Sequence, residues 1–439
     1  MMAEEETSRV DLSELWKEAK DFKAHFNTKD LLQAIILGLL FSASDTGSDF
    51  NFARAVETEC SDFHKIVFTF VNEKNETEEG FYLENTNRTT SPCGGLSKDT
   101  VQSFIYIFIS LPGLLLLLAY LHSVFASLAA RVCCHCCKGK LFNNLGNVLS
   151  LLLLGGIIFV LLGLSANHQT ANYAAALLSA GLILGVKLLA VFLHGPQMKR
   201  LSVRMTSVES QFESALQLGL VLSIWFSGGE TTTSAIFSAT SSVIMIGKAG
   251  AEKFLTFGAE NKLEGLSLGG KLGMLAWTSP VFILTAIFRI SGLAIIFAWA
   301  GNLSAGNLLL AALLVPPFLG LFLMKCCRLE DISLGDLLKG AVAEVTTLTL
   351  WGRRGREGSR KISLILAVYF LLVHTIILSC SLAMPTLFHS EGMPSVVQRA
   401  AIICLVSGWT SFPLIICQIF CLLHPFSTLR KIKTLTLAI

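Results

Sequence analysis

The stretch LLQAIILGLLFSASDTGSDF, residues 31–50, joins two features that rarely share one segment. Its first half is almost entirely apolar, as expected for the first half of a membrane-spanning helix. Asp45 and Asp49 follow four positions apart, so a helix places both carboxyl groups on one face. A charge at the centre of a membrane helix costs roughly 2.5–3.5 kcal/mol on insertion scales. Two acids here therefore predict buried partners or a function.

The composition of the chain supports the interpretation that these apolar residues lie in a membrane. Hydrophobic residues make up 53% of the 439 positions and charged residues only 15%, whereas soluble domains carry about 25% charged residues. The net charge of +3 is too small to indicate binding of nucleic acid. We therefore expect an integral membrane protein with no nucleic-acid partner.

About ten apolar stretches approach the roughly 20 residues that a helix needs to cross a bilayer. We expect helices because lipid offers no partner to unpaired backbone groups, and no strand-like alternation is evident. The fifth and sixth stretches are shorter and rich in Ser, Thr and Gly, which predicts half-buried or re-entrant segments. The prediction is an all-α polytopic membrane protein with spans near 31–56, 101–128, 144–166, 172–194, 210–227, 233–250, 272–299, 306–325, 362–386 and 397–423.

The distribution of Lys and Arg predicts the orientation. These residues concentrate after the second, fourth, sixth, eighth and tenth spans, and the short loops between are almost free of them. By the positive-inside rule the basic loops are cytoplasmic, and an even number of spans puts both termini there. The predicted organisation is a cytoplasmic segment 1–30, a single transmembrane domain 31–424 with a cytoplasmic loop 326–361, and a short basic tail 425–439.

The long loop 58–98 falls on the predicted outer side. It holds two acceptor sequons for N-glycosylation, at Asn75 and Asn87. Cys60 and Cys93 stand near its two ends, and in an oxidising compartment such a pair predicts a disulfide. The alternative is two free thiols and chance sequons.

A second group of cysteines follows the second span on the predicted cytoplasmic side. Cysteines beside the membrane and next to basic residues favour palmitoylation. Their spacing also suits zinc ligands. A third interpretation is that they are unmodified thiols without a function. No phosphate loop, metalloprotease motif, nucleophile elbow or dinucleotide fingerprint occurs. We therefore expect no enzyme, no cofactor and no metal, with palmitoylation at Cys133, Cys134, Cys136 and Cys137.

Few ionisable or strongly polar residues lie inside the predicted spans. Because charges facing lipid are costly, we expect them to converge in the interior of the bundle, with pairs such as Asp45 or Asp49 with Arg289 or Lys187. Two interpretations stay open: structural ion pairs between helices, or a polar track along which a charged group crosses. The candidates are Asp45, Asp49, Lys187, Glu209, Glu213, Gln217 and Arg289, with Lys248 and His374 also inside spans.

Three of these features together resemble the XK-related membrane protein family. DTGSD at 45–49 is similar to the family's Asp-x-Gly-(Ser/Thr)-Asp, and ESALQL at 213–218 is similar to its Glu-(Ser/Ala)-x-Pro-Gln-Leu. Arg289 falls where the family tends to carry an arginine within the membrane. The chain departs from the pattern at Leu216, where Pro is usual, at Val221, where Gln is usual, and in its long outer loop.

The resemblance implies a multi-pass plasma-membrane protein of the group that includes phospholipid scramblases. The intramembrane charges would then form a path for lipid headgroups, with membrane phospholipids and an accessory lipid-transfer protein as partners. The tail after His424 contains no Asp, so caspase activation is not expected. Two alternatives stay open: an ion channel or receptor of about ten spans, and a non-catalytic membrane scaffold for a lipid-transfer protein.

Overall fold

The computed structural model describes residues 32, 35–59, 64–71, 77–84, 98–132, 169–193, 196–226, 232–258, 266–298, 315–316, 318–320, 322, 357–383 and 395–420. Helices and one hairpin account for nearly all of them. In chain order they are α1 (Phe41–Glu59), β1 (His64–Val71), β2 (Thr77–Glu84), α2 (Lys98–Val132), α3 (Gln169–Leu193), α4 (Pro196–Glu209), α5 (Ala215–Phe226), α6 (Thr233–Lys253), α7 (Leu268–Ala298), α8 (Glu357–Ala383) and α9 (Ser395–Phe420).

The described part of the chain is predominantly helical, as predicted. Helices occupy the predicted spans wherever the structure describes them, whereas the third predicted span, 144–166, lies outside the described residues. Among the described residues, three stretches are long and apolar enough to cross a bilayer: Lys98–Leu117, Ala171–Leu189 and Leu268–Ile295. Two shorter apolar stretches lie within α8 and α9. The fold is therefore that of a helical membrane protein.

A two-stranded hairpin within the predicted outer loop corrects the expectation that the chain has no strands. β1 and β2 pair in antiparallel fashion, with His64 opposite Glu84 and Val71 opposite Thr77. The sequence of β1, HKIVFTFV, is rich in β-branched and aromatic residues, which favour extended backbone. The strands lie between two polar stretches of the loop, and with 8 residues each they are too short to appear as membrane spans.

The fifth predicted span, 210–227, is part of a longer helix. Helical structure runs without a break from Pro196 to Phe226, through a π-helical segment at Ser210–Ser214. The search for apolar spans does not predict α4, because the sequence of this helix is mostly polar. α5 is apolar except for Gln217 and Ser223, and most of its residues are buried, as expected for a helix surrounded by other helices. It packs against α2, α6, α7 and α9.

The core of the bundle lies around α5. Val221 from this helix is fully buried together with Ile105 from α2, Ile290 from α7 and Phe370 from α8. Large apolar side chains also cover the outer faces of the helices, for example Leu178 at 76% exposure. In a bilayer these outer side chains contact lipid, so the exposed apolar surface is consistent with the membrane assignment.

α2 and α3 approach closely where Pro112 interrupts the hydrogen bonding of α2. Ser179 of α3 inserts its hydroxyl at this point: it accepts from the Gly113 N–H (3.0 Å) and donates to the Ile109 carbonyl (2.9 Å). In an uninterrupted helix these two backbone groups would bond to each other. A side chain within the backbone ladder is a known cause of helix kinks. Ser179 therefore satisfies α2 from a neighbouring helix.

Candidate functional site

α1 presents a polar stripe to the inside of the bundle. Ser42, Asp45, Thr46 and Asp49 recur at helical spacing, and each is at most 6% exposed. The opposite face of the helix is exposed at Gly47 and other positions. The exposed face also carries small or polar residues, such as Ser44, Asn51 and Arg54, so α1 buries its two acids without presenting an apolar outer face.

A lysine and a glutamate from two other helices meet the first residue of this stripe. Lys187 of α3 forms an ion pair with Glu209 at the end of α4, and its ammonium donates to the Ser42 hydroxyl (2.6 Å). The Ser42 hydroxyl in turn donates to Glu209 Oε1. We call these three residues the Lys187 triad. It joins α1, α3 and α4, and the side chains of the ion pair are completely buried.

The π-helical segment directly after Glu209 brings two more side chains to α1. Glu213 Oε1 accepts a hydrogen bond from Thr46 (3.0 Å), and Ser214 donates to Asp45 Oδ2 (2.6 Å). Single turns of π-helix within α-helices occur frequently at functional sites because the extra residue redirects neighbouring side chains. Here the segment directs adjacent residues at two positions of the same helix.

Serines of α6 complete the surroundings of the two aspartates. Ser241 donates to Asp45 Oδ1 (2.5 Å), and Ser238 donates to Asp49 Oδ1 (2.7 Å). Gln217 of α5 donates its amide to the Ser238 hydroxyl at 3.4 Å. The resulting network is called the buried polar cluster: Ser42, Asp45, Thr46, Ser48, Asp49, Lys187, Glu209, Glu213, Ser214, Gln217, Ser238 and Ser241.

Three oxygens on α1, α5 and α6 lack a hydrogen-bond partner among the described residues. They are Asp49 Oδ2, Gln217 Oε1 and Ser242 Oγ. Each residue is 0% exposed. A buried polar atom without a partner costs about 1–3 kcal/mol, and more when the group is charged. Most buried polar atoms bond to protein or to ordered water, so each of these three oxygens requires an explanation.

Arg289 lies against α8. Its guanidinium stacks on the ring of Phe370, 4.3 Å from the centroid. The Arg289 carbonyl is 3.1 Å from Nε2 of His374, whose Nδ1 is 3.0 Å from the Phe370 carbonyl. Lys248 pairs with Glu252 one turn along α6, at 3.0 Å. Arg289 and His374 thus connect α7 with α8, and the Lys248 ammonium lies 5.7 Å from the centroid of the Phe41 ring at the start of α1.

The convergence predicted for the intramembrane residues is therefore seen for most of them. The structure brings together Asp45, Asp49, Lys187, Glu209, Glu213 and Gln217, and it places Arg289 beside α8. The expected ion pair of Lys187 with Asp45 or Asp49 is wrong, because Lys187 pairs with Glu209. Serine hydroxyls bond the two aspartates instead, since a short side chain fits where two helices pack closely.

The sequence pattern did not predict the hydroxyl residues of the cluster. The Ser and Thr content of the sixth span predicts a half-buried or re-entrant segment, whereas Ser238 and Ser241 of this segment donate hydrogen bonds to the buried aspartates. The signal for Ser42 and Thr46 was their spacing of three or four residues from the two aspartates, which places all of them on one helix face. Hydroxyls at this spacing from a buried acid are candidates for its hydrogen-bond donors.

Other predicted sites lie outside the residues that the structure describes. They are the cysteine pair Cys60 and Cys93, the sequons at Asn75 and Asn87, and the cysteines Cys133, Cys134, Cys136 and Cys137. The disulfide, glycosylation and palmitoylation stay predictions. The terminal segments and the loop 326–361 lie there too, apart from 357–361.

The sequence matches no protein-family model, and no curated protein matches it significantly. The resemblance to the XK-related family therefore rests on the residues of the motifs alone. Two of these motifs, DTGSD and ESALQL, supply the aspartates, Glu213, Ser214 and Gln217 of the buried polar cluster.

Proposed function

We propose that this protein moves phospholipids between the two leaflets of a membrane, as a scramblase of the XK-related type. The observation that carries the proposal is the buried polar cluster, which places acids, a lysine and hydroxyls inside an apolar helix bundle. Ionisable residues within membrane helices are costly, and they commonly mark substrate pathways. The proposal explains why α1 carries two acids on its buried face.

The chemistry of the cluster matches a phospholipid headgroup. Such a headgroup carries a phosphate and, in many lipids, an ammonium group, whereas its acyl chains stay in hydrocarbon. Carboxylates of the cluster can replace water around the ammonium, and the ammonium of Lys187 can replace water around the phosphate. Hydroxyls can donate or accept. A cation pore would instead use acidic rings, so the presence of both signs favours lipid transfer.

The cluster is closed in this structure, since its carboxylates and Lys187 are at most 2% exposed. Passage of a headgroup requires α1 to separate from α4 or α6. The contacts that such a movement breaks are the Lys187 triad and the hydrogen bonds of the two aspartates with α6. We propose that the present arrangement is the resting conformation and that opening of these contacts exposes the path.

Lipid transfer is tested with the purified full-length protein in liposomes that contain a fluorescent phospholipid. We expect the inner-leaflet label to become accessible to an external quencher faster than in protein-free liposomes. Asp49→Asn should change this rate severalfold without unfolding the protein, because Asn keeps an oxygen that accepts from Ser238 but removes the charge. Glu252→Gln is the matched control, since Glu252 pairs with Lys248 within α6 and makes none of the hydrogen bonds that define the buried polar cluster.

The same liposomes distinguish the two alternative functions. Ion flux without lipid transfer, with candidate activators present, would replace the scramblase proposal by an ion channel. No flux of either kind would favour a non-catalytic scaffold that docks an accessory lipid-transfer protein. If Asp49→Asn and Glu252→Gln changed lipid transfer equally, the buried polar cluster would not be the path.

We also propose that the protein resides in the plasma membrane with about ten spans and both termini in the cytoplasm. Glycosidase treatment should then increase its electrophoretic mobility, because Asn75 and Asn87 face the lumen during synthesis. Replacing both asparagines with Gln should abolish the shift. A tag within the loop 58–98 should bind antibody on intact cells, and binding only after permeabilisation would reverse the orientation.

A further inference from the structure

We infer that the cluster contains a binding site for a small monovalent cation, formed by the unpartnered oxygens of Asp49, Gln217 and Ser242. The three residues come from α1, α5 and α6, and α6 packs against both of the other helices. The inference does not rest on lipid transfer, since an ion can bind here whether or not a headgroup passes.

Contacts around Ser238 connect two of the three groups. The Ser238 hydroxyl donates to Asp49 Oδ1 and accepts from Gln217 Nε2, which orients both side chains at the same point of α6. The other oxygen of each side chain, Asp49 Oδ2 and Gln217 Oε1, has no hydrogen-bond partner among the described residues. Ser242 follows one turn later on α6, and its oxygen is likewise without a partner among the described residues.

The atoms present select the class of ligand. A carboxylate oxygen and an amide oxygen only accept, so a positively charged or donor group must satisfy them. Carboxylate, amide and hydroxyl oxygens are the ligands that hard cations prefer. Both oxygens of Asp45 and both of Glu209 already accept hydrogen bonds. Among the described residues, Asp49 Oδ2 is the one buried carboxylate oxygen without a hydrogen-bond partner, which suits a single positive charge.

The position of the site explains how an ion would affect the bundle. Asp49 and Gln217 are completely buried, so an ion that binds them holds α1 and α5 beside α6. Uncompensated negative charge at this point would instead favour separation of the helices or entry of water. Binding of a cation therefore stabilises the closed conformation, and its effect is measurable as thermal stability without any transport assay.

The experiment uses the purified full-length protein in detergent at pH 8. Sodium chloride is exchanged for choline chloride at constant ionic strength while the thermal midpoint is recorded. We expect a saturable increase of a few degrees with sodium, since binding to the folded state alone raises stability with concentration. Asp49→Asn should abolish the increase. Glu252→Gln, which neutralises an acid paired elsewhere, should keep it in full.

A second pair of variants keeps the test decisive if Asp49→Asn does not fold. Gln217→Leu and Ser242→Ala each remove one neutral oxygen, so either should shift the sodium titration to higher concentration by severalfold. Equal midpoints in sodium and choline would overturn the inference. A midpoint that rises only with acidification, at any sodium concentration, would also overturn it, because a proton on Asp49 would then satisfy the carboxylate. Neither of these two outcomes changes what the liposome assay of wild-type protein would show, so failure of this inference is distinguishable from failure of the proposed lipid transfer.

Discussion

Lys187→Met is expected to destabilise the folded protein by about 3–5 kcal/mol, the cost of removing one partner from a buried ion pair. The substitution leaves Glu209 with the Ser42 hydroxyl but without its cation, in a position where both side chains of the pair are completely buried. The Glu209 carboxylate cannot move to water, because it is buried where α4 meets α1 and α3. The measurement is the thermal midpoint of the detergent-purified protein, followed by fluorescence-detected gel filtration.

The double variant Lys187→Met with Glu209→Gln separates an ion-pair effect from a packing effect. Removing both charges leaves no uncompensated ion, and replacing a whole buried pair is often close to neutral. We expect most of the lost stability to return. Arg54→Met is the control, because this exposed residue of α1 should change stability by at most about 0.5 kcal/mol. A wild-type midpoint for Lys187→Met would contradict the Lys187 triad.

The same double variant also bears on the proposed function. If the Lys187 triad holds α1 in the resting conformation, removal of both charges should increase lipid transfer relative to wild type in the liposome assay. A folded double variant that transfers lipid at the wild-type rate would show that the triad has a structural role only. The cluster would then need another contact, such as Ser238 with Asp49, to control opening.

Gly113→Ala is the second substitution expected to have a large effect. A Cβ atom at this position would lie 2.2 Å from Ser179 Oγ and 2.8 Å from Ser179 Cα. The second contact is with backbone, so a side-chain rotation cannot relieve it. Overpacking costs about 1–3 kcal/mol, and expelling the Ser179 hydroxyl leaves the Gly113 N–H without its acceptor, about 1–3 kcal/mol more. The thermal midpoint should fall steeply.

Gly181→Ala is the matched control for this prediction. Gly181 belongs to α3, and a Cβ atom there meets nothing within 4 Å. Because Ala is the better helix former by about 1 kcal/mol, this variant should be neutral or slightly more stable than wild type. Equal midpoints for Gly113→Ala and Gly181→Ala would show that α2 and α3 do not approach as closely as the structure has them.

The helical class and the burial of the acids followed from the sequence because both depend on local composition. A run such as LLQAIILGLLF is too apolar for water, and lipid forces it into a helix, whatever the rest of the chain does. The spacing of Asp45 and Asp49 places them on one face by helix geometry alone, and their cost in lipid directs that face inwards. Six of the seven predicted intramembrane residues accordingly meet in one cluster.

The partners within the cluster depended on contacts between distant parts of the chain. Pairing of Lys187 with Glu209, and of the aspartates with Ser214, Ser238 and Ser241, requires four helices in one relative register. Helix spacing does not encode that register. Charge matching predicted a lysine–aspartate pair, but the helices pack closely enough for short hydroxyls to reach the aspartates first.

The sequence by itself therefore determined that this chain forms membrane helices and that its intramembrane acids face inwards, since hydrocarbon acts on every residue in the same way. Tertiary structure alone decided which donor each acid meets, where Ser179 enters the backbone of α2, and which oxygens stay without a partner. The physical reason is the short range of a hydrogen bond: a shift of one helix by a single turn, about 5.4 Å, exchanges every partner.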